Sequence, residues 1–181
     1  MWLRWKLYSV SLNYFQLFDL QPKFNITLAT LETNYRKIQS ESHPDRFVTA
    51  TSAEKLKSMQ LATLANEAYQ TLKNPASRAQ YLLELNGITA ISESNTSMPA
   101  DFLMQQMEWR ETLEDASMAK NVSALEVLFD EMRAEAKNLQ IDLNRLFDEK
   151  KDYVHACETT RKLIFIDKVC ADIQHAIERL D

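Results

Sequence analysis

The chain has 181 residues, of which 45% are hydrophobic, and a net charge of −5 at pH 7. This length suits one large domain or two small ones. A single glycine, Gly87, excludes glycine-rich phosphate-binding loops and disfavours an all-β fold with tight hairpin turns. Because strong helix formers fill the long stretches, we predict an all-α protein.

Charge and cysteine content limit the partners and the compartment. An acidic chain without a basic block is unsuited to wrapping nucleic acid, and no apolar run approaches the roughly 20 residues of a membrane span. We therefore expect neither nucleic acid nor a membrane as a partner. Cys157 and Cys170 lie on one predicted helix, too far apart to bridge, and we expect both in the core. Free thiols fit a reducing compartment, and we predict the cytoplasm.

The first twelve residues, MWLRWKLYSVSL, contain two tryptophans and two basic residues but no acid. They lack the unbroken apolar stretch and the small-residue cleavage site of a signal peptide. A short leader for membrane contact or targeting is one interpretation. We favour the other, in which residues 1–12 are a flexible N-terminal extension.

Two helices are predicted before a proline-containing loop. Asn13 is expected to cap a short helix that Pro22 prevents from continuing. Thr27 is expected to cap a second helix, from about residue 28 to residue 42. Pro44 ends that helix, because the residue before a proline avoids the α conformation.

Two more helices follow this loop. Thr51 and Glu54 form a capping box that predicts the start of a third helix. Its expected apolar stripe is Leu56, Met59, Ala62, Ala65, Tyr69 and Leu72. Asn74 and Pro75 begin a fourth helix, which Gly87 ends. Antiparallel packing of the second and third helices would place the loop at an exposed tip.

The remainder of the chain predicts a linker and a helical bundle. Residues 88–98 are polar and indicate a linker, and Pro99 begins a helix reaching about Ala116. A heptad stripe then comprises Leu125, Phe129, Met132, Ala136, Leu139, Leu143 and Leu146. A last helix from about Asp152 carries a stripe of Leu163, Ile166, Cys170, Ile173, Ile177 and Leu180. Three long helices with short breaks predict an antiparallel bundle over residues 99–181.

The loop tripeptide His43-Pro44-Asp45 is unsuited to catalysis. Two side chains separated by one proline cannot form a facing pair on a helix, and no serine or cysteine sits in a glycine-framed elbow. The other histidines, His155 and His175, form no metal-ligand pair with a cysteine at helical spacing. We therefore expect no enzyme activity, no metal site and no cofactor.

One interpretation of this tripeptide is an ordinary turn, since proline and aspartate are common turn residues. Its context favours a contact loop. It lies between two amphipathic helices, is followed by Arg46 and Phe47, and is trailed by NEAYQTLKNPASRAQYLL. A proline-stiffened loop loses little entropy on binding, and its histidine and aspartate offer hydrogen-bonding groups.

Residues 13–87 resemble a J-domain, the module by which co-chaperones engage the ATPase domain of DnaK-type chaperones. The resemblance rests on NYFQLFDL, HPDRF and NEAYQTLKNPASRAQYLL. It implies that the chaperone contacts and its ATPase stimulation come from His43, Pro44 and Asp45. Basic side chains that could face an acidic patch are Arg36, Lys37 and Arg46. The second helix also carries Glu32 and Glu41, so its positive face is weaker than in many J-domains.

The helix after Pro99 carries a second candidate surface. Its core stripe is Phe102, Trp109, Leu113 and Ala116, and an apolar group lies about 100° or more away around the helix: Leu103, Met104 and Met107. Met104 also begins a row that continues with Glu108, Glu111 and Asp115. Either the apolar group fills a wide bundle seam and the acids are solvated, or the two together form a binding face for a basic partner.

FLMQQMEWRETL and RKLIFIDKV resemble the C-terminal domain of the HscB branch of J-proteins. That resemblance covers nearly all of the chain beyond Leu12. It implies delivery of an iron–sulfur scaffold protein of the IscU type to a dedicated chaperone of the HscA type. The implied scaffold-binding residues are Leu103, Met104, Met107, Glu108, Glu111, Asp115 and Phe165. Without the N-terminal cysteine pairs of some eukaryotic relatives, the sequence favours a bacterial-type protein.

Two rival classes stay open. One is a J-domain co-chaperone whose bundle serves a different client. The other is a plain helical interaction protein whose His-Pro-Asp segment is an ordinary turn. The predicted organisation is an extension over residues 1–12, a J-domain over 13–87, a linker over 88–98 and a scaffold-binding domain over 99–181.

Overall fold

The computed structural model describes residues 12–91 and 98–180, and within those ranges every regular element is helical. The helices are α1 Tyr14–Leu17, α2 Leu28–Glu41, α3 Ser52–Lys73, α4 Pro75–Leu85, α5 Ala100–Met118, α6 Val122–Asn144 and α7 Tyr153–Glu178. A 3-10 turn, Pro44–Phe47, separates α2 from α3, and a π-helical segment, Arg145–Lys150, extends α6. The predicted all-α class is confirmed.

The chain forms two compact units, Met1–Leu82 and Leu83–Asp181. Most of the predicted extension, residues 1–11, and residues 92–97 of the predicted linker lie outside the described residues. The part of the linker before them is structured at Ala90, which is fully buried and whose carbonyl oxygen accepts a 2.6 Å hydrogen bond from Arg161 Nε. The domain bounds drawn from the sequence stay predictions.

An antiparallel pair of helices, α2 and α3, forms the frame of the first unit. At one level the rings of Tyr35 and Tyr69 stack with centroids 4.1 Å apart, and the Tyr35 hydroxyl donates to Asn66 Oδ1 at 2.7 Å. Further along, the Ser58 hydroxyl donates to the Ser42 carbonyl oxygen at 2.7 Å. Contacts that advance along α2 while receding along α3 establish the antiparallel direction, so the connecting loop lies at one end of the pair.

Short α1 is fixed to this pair and to α4. Asn13 caps its start, as predicted, and Gln16 completes a capping box. The ring of Tyr14 stacks on Tyr81 with centroids 4.4 Å apart, and its hydroxyl donates to Glu67 at 2.8 Å. Phe15 is fully buried beside them. A four-residue helix has little stability of its own, so these contacts keep it folded.

The predicted capping residues of helices α2 to α4 are confirmed with one exception. Thr51 and Glu54 form the capping box of α3, and Asn74 Oδ1 accepts from the Ser77 backbone N–H at the start of α4. Gly87 adopts φ +73°, a left-handed conformation that favours glycine after a helix. Thr27 precedes α2 but its side chain makes no capping hydrogen bond.

The apolar stripe predicted for α3 is wrong at its N-terminal end. Leu56 and Met59 are 57% and 63% exposed, and the buried positions there are Ser58 and Leu61. The prediction had assigned the apolar residues of this turn to the buried face. Helix α3 instead presents the small Ser58 to the end of α2, because its hydroxyl can bond the Ser42 carbonyl oxygen.

The second unit is the predicted antiparallel three-helix bundle. Trp109 of α5 donates from its indole nitrogen to Glu131 of α6 at 3.2 Å, and Phe165 of α7 packs on Trp109 and Phe102. The α6–α7 connection is tight, because Lys151 adopts φ +57° and Asp152 begins α7 at once. Each of the three helices therefore packs against both others.

The α6 heptad stripe is only partly buried. Leu125, Met132, Leu139 and Leu143 are buried as predicted, whereas the partly exposed members are Phe129, Ala136 and Leu146. Leu128 and Phe147 are buried in addition. A helix with 3.6 residues per turn drifts from a strict heptad, and the π-helical segment changes the register again near Leu146.

The two cysteines differ in their surroundings. Cys157 is buried, but Cys170, which was also expected in the core, is only partly buried. Both are free thiols on α7. Desolvation raises the pKa of Cys170, and the nearby Asp167 carboxylate raises it further, so this thiol is a weak nucleophile at neutral pH. In the described part of the chain, no helix is both long and apolar enough to cross a membrane.

The cap of α7 predicts a pH-dependent contribution to stability. Asp152 accepts a hydrogen bond from the His155 backbone N–H at 3.2 Å, and its other oxygen lies 2.7 Å from the His155 ring Nδ1. These hydrogen bonds lower the pKa of Asp152. A lowered folded-state pKa means that the carboxylate stabilises the fold above its unfolded pKa of about 3.9 and loses this effect as the pH falls.

Asp152→Asn should therefore remove this pH dependence while keeping a good capping residue. We expect the Tm of the wild type to exceed that of the variant near about pH 6, and the difference to shrink below about pH 4. Thermal unfolding followed by circular dichroism at several pH values measures this. Asp172→Asn, an exposed change further along α7, is the control and should show no such trend. A constant difference across the pH range would contradict the role of the cap.

Two candidate interaction surfaces

The first surface is the tip between α2 and α3, formed by His43, Pro44 and Asp45 and called here the HPD tip. All three residues are exposed, and the His43 and Asp45 side chains keep 58% and 86% of their surface accessible. Pro44 occupies the first position of the 3-10 turn, where its fixed φ is suitable and no backbone N–H is needed. His43 Nδ1 accepts from the Asp45 backbone N–H at 3.3 Å, which directs the imidazole towards the turn.

Buried hydroxyl groups fix the base of the tip. Ser42 and Ser58 are each 2% exposed. The Ser42 hydroxyl donates to the Ile38 carbonyl oxygen at 2.8 Å, while the Ser42 carbonyl oxygen accepts from Ser58. The tip therefore leaves α2 in a defined direction, and its exposed residues start from an ordered backbone.

A groove of about 670 Å³ runs beside the tip. Its lining residues are Arg36, Gln39, Ser40, Ser42, His43, Pro44, Arg46, Ala62 and Asn66. Across the groove, Gln39 and Asn66 both hydrogen-bond the Tyr35 hydroxyl. The HPD tip thus forms one end of a shallow groove that both helices share.

The basic residues near the tip are unequal. Arg36 forms an ion pair with Glu32 one turn earlier, and Arg46 donates to the Ser40 carbonyl oxygen at 3.3 Å. Lys37 is exposed. Exposed ion pairs are weak, so Arg36 can exchange Glu32 for an acid on a partner at little cost. The pairing nevertheless agrees with the weaker positive face inferred from Glu32 in the sequence.

The second surface is the apolar patch on α5, defined by Leu103, Met104 and Met107. These side chains are 46%, 64% and 63% exposed. The adjacent core row, Phe102, Trp109 and Ala116, is at most 6% exposed. The patch does not fill the bundle seam, so the wide-seam interpretation is wrong. Exposed methionines provide an adaptable apolar contact.

Acidic side chains border this patch. Glu108, Glu111 and Asp115 are exposed, and none forms an ion pair within the part of the chain that the structure describes. Each lies one or two helical turns from a neighbour on the same side of α5. The carboxylates are therefore available to select a basic partner.

Phe165 of α7 is brought to the edge of the patch. Its ring is partly exposed and meets the ring of Phe102 edge-on, with centroids 5.9 Å apart. The guanidinium of Arg110 lies 5.5 Å from the Phe165 centroid. Since Arg110 follows Leu103 by seven residues, the two share one side of α5. Phe165 therefore lies beside the side of α5 that carries Leu103 and Arg110.

Sequence reasoning missed the residues that support these surfaces. Ser58 was overlooked because the buried face of α3 was predicted from its apolar residues alone. Trp109 was assigned only to the core, although it also contacts Phe165. Among the described residues, no group of three or more histidine, cysteine, aspartate or glutamate side chains could hold a metal ion.

Known proteins resemble this chain in sequence and in structure. Residues 98–174 match the family described as the HSCB C-terminal oligomerisation domain. The co-chaperone protein HscB homolog of Burkholderia thailandensis is 48% identical over 173 residues, covering 96% of this chain and 98% of that protein. The chain belongs to the HscB co-chaperone family.

Solved structures agree with this assignment. Chaperone HscB from Vibrio cholerae superposes with a TM-score of 0.81 at 34% identity, covering 94% of this chain and 100% of the other. Human co-chaperone protein HscB gives a TM-score of 0.84 at 30% identity, covering 92% and 82%. The HscB family serves iron–sulfur cluster assembly, and its members are co-chaperones that work with a chaperone and a scaffold.

The support beneath the HPD tip can be tested with Ser58→Ala. Because the buried Ser42 carbonyl oxygen would lose its Ser58 partner, we expect a loss of about 1 kcal/mol in unfolding free energy. Urea denaturation measures it, and amide exchange at Asp45 and Arg46 should become faster. Thr63→Ala is the matched control, since the exposed Thr63 hydroxyl bonds only the Met59 carbonyl oxygen of its own helix. Equal effects of the two changes would contradict a special role for Ser58.

Proposed function

We propose that this protein is a two-ended adaptor that joins an iron–sulfur scaffold of the IscU type to a DnaK-family chaperone of the HscA type. The apolar patch, its acidic border and Phe165 bind the scaffold. The HPD tip with Arg36, Lys37 and Arg46 binds the chaperone and stimulates its ATPase. The observation that carries the proposal is that both surfaces are exposed while each is backed by buried side chains.

The chaperone contact follows from the geometry of the tip. A proline-braced 3-10 turn presents an imidazole and a carboxylate at its surface, and both can hydrogen-bond a partner. The carboxylate of Asp45 suits a basic group of the chaperone, since hydrogen bonds to charged groups are stronger than neutral ones. Arg36, Lys37 and Arg46 raise the association rate by attracting an acidic surface.

The scaffold contact follows from the composition of α5. Leu103, Met104 and Met107 supply apolar area that a partner removes from water. Glu108, Glu111 and Asp115 add selectivity, because a partner with acids in the same places would be repelled. A scaffold held by the patch is delivered to the chaperone at a raised local concentration, without any new contact. Hydrolysis stimulated at the chaperone then tightens its grip on the scaffold.

In this proposal the protein has no catalysis of its own, binds no cofactor and acts in the cytoplasm. ATP hydrolysis belongs to the chaperone, and the iron–sulfur cluster belongs to the scaffold. The proposed domains are residues 13–87 for the chaperone contact and residues 99–181 for the scaffold contact. Separate substitutions should therefore disable the two contacts independently.

Asp45→Asn should abolish most of the chaperone stimulation. The change keeps the size of the side chain but removes its charge, and we expect stimulation to fall about tenfold or more. A steady-state ATPase assay of an HscA-type chaperone with increasing amounts of the variant measures this, and scaffold affinity should not change. Asp172→Asn, which removes a charge in the other unit, is the control. Unaltered stimulation by Asp45→Asn would leave the tip as an ordinary turn and refute the chaperone contact.

The combined variant Leu103→Ala, Met107→Ala and Phe165→Ala should lose scaffold binding. Since truncation of a buried interface anchor typically costs about 2 kcal/mol or more, we expect Kd to rise at least roughly 100-fold. Calorimetric titration with a purified IscU-type scaffold measures it. Basal stimulation of the chaperone ATPase should remain.

A matched control for this variant exists on α6. Val127→Ala with Ile141→Ala truncates exposed apolar side chains, which are 69% and 54% accessible, outside the proposed patch. It should leave scaffold affinity unchanged. If the triple variant is folded and still binds the scaffold with wild-type affinity, the patch serves another client, which a pull-down in the absence of scaffold would then reveal.

A further inference from the structure

A cluster of three aromatic rings lies beneath one edge of the apolar patch. Phe102 and Trp109 of α5 meet edge-to-face with centroids 6.0 Å apart. Phe165 of α7 contacts both, edge-on to Phe102 at 5.9 Å and nearly parallel to Trp109, at 6.3 Å with an interplanar angle of 21°. These distances and orientations are those of favourable aromatic pairs.

Trp109 cannot contact a partner directly, because only 4% of its surface is accessible. Its indole N–H donates to Glu131 Oε1 of α6 at 3.2 Å. The indole plane is therefore held by a hydrogen bond to one neighbouring helix while its face is turned to a ring of the other. A buried, oriented ring of this kind acts as a fixed platform.

Phe165 is the least buried member of the cluster and the one that the proposed function places at the scaffold interface. A phenylalanine at the surface of a helix ordinarily has a choice of rotamers. Here the Trp109 face, the Phe102 ring and the Arg110 guanidinium surround the Phe165 ring on several sides. These contacts select one ring orientation before any partner arrives, and less entropy is then lost on binding.

A second cation is ordered at the other end of the cluster. Lys162 Nζ lies 5.5 Å from the Phe102 centroid and 3.1 Å from the carboxylate of Glu158, one turn earlier on α7. Cations near ring faces are attracted by the ring quadrupole. The cluster thus has a charged margin on each side, and Phe165 is its one partly exposed ring.

We propose that Trp109 is a positioning residue for scaffold binding, which acts by holding the Phe165 ring in its binding orientation. This inference rests on the proposed function, because it requires Phe165 to contact the scaffold. It goes beyond that proposal in giving a binding role to a side chain that no partner touches. Removal of the flat indole should weaken the complex mainly by faster dissociation.

The test is a double-mutant cycle with Trp109→Leu and Phe165→Ala, each alone and combined, in the full-length chain. We expect Trp109→Leu to raise the Kd for a purified IscU-type scaffold roughly three- to tenfold, the range of an aromatic pair. In the Phe165→Ala background, Trp109→Leu should have no further effect, since there is no ring left to position. Trp109→Phe, which keeps a flat ring but lacks the indole N–H, should restore most of the affinity.

Two measurements separate positioning from a general loss of stability. Leu139→Ala, a buried change elsewhere in the bundle, should lower the Tm without altering scaffold affinity. In the free protein, NMR signals of the Phe165 ring should carry a ring-current shift from Trp109, and Trp109→Leu should remove it. This second readout does not depend on any partner.

The outcomes distinguish the two proposals. If Phe165→Ala alone leaves scaffold affinity unchanged, the proposed scaffold contact fails at this residue. Two other outcomes overturn the positioning role of Trp109 while the scaffold contact stands. In one, Phe165→Ala weakens scaffold binding but Trp109→Leu does not. In the other, Trp109→Leu weakens scaffold binding equally with and without Phe165.

Discussion

The division of α5 into a buried row and an exposed row is the constraint on which the second unit of this protein depends. The bundle core on this side of α5 is filled by Phe102, Trp109 and Ala116. Folding therefore does not require Leu103 and Met107, which remain at the surface. A bundle with two partner helices for α5 leaves one side of that helix uncovered. The apolar patch exists because the core is complete without it.

The HPD tip depends on a related arrangement in the first unit. In the described part of the chain, the side chains of His43 and Asp45 hydrogen-bond and pair within the turn itself. The order of the tip comes from the buried Ser42 and Ser58 hydroxyls below. Proline removes backbone freedom from the loop, and the hydrogen bond across the helix pair sets where the loop begins. Order at the base and exposure at the end suit a contact surface that must bind without first folding.

Membership of the HscB family makes this protein a co-chaperone of iron–sulfur cluster assembly. Electrostatics differ between the surfaces: the cations Arg36, Lys37 and Arg46 lie near the tip carboxylate of Asp45, whereas the patch on α5 has an acidic border. Opposite charge character at the two sites would reduce binding of either partner at the wrong end.

Local rules predicted most of the secondary structure. Capping boxes at Asn13 and Thr51, the proline after Asn74 and the positive φ at Gly87 depend on a few neighbouring residues, so the sequence was sufficient for them. Helical spacing likewise predicted that Phe102 and Trp109 lie on a different side of α5 from Leu103 and Met107. The functional meaning of the HPD segment came from its resemblance to a family, since three residues in a turn have no unique chemistry.

Tertiary packing decided the rest. Ser58 faces α2 while Leu56 and Met59 face solvent, because the hydroxyl has a carbonyl oxygen to bond at that level and an apolar side chain does not. The π-helical segment after Asn144 buried Phe147 and moved Leu146 outward, which a regular repeat cannot anticipate. The contact of Trp109 with Phe165 joins residues 56 positions apart in the sequence. The sequence alone thus determined the helices and, through periodicity, the approximate direction of their buried faces. Which of several neighbouring side chains is buried depended on the partner helix that each one met.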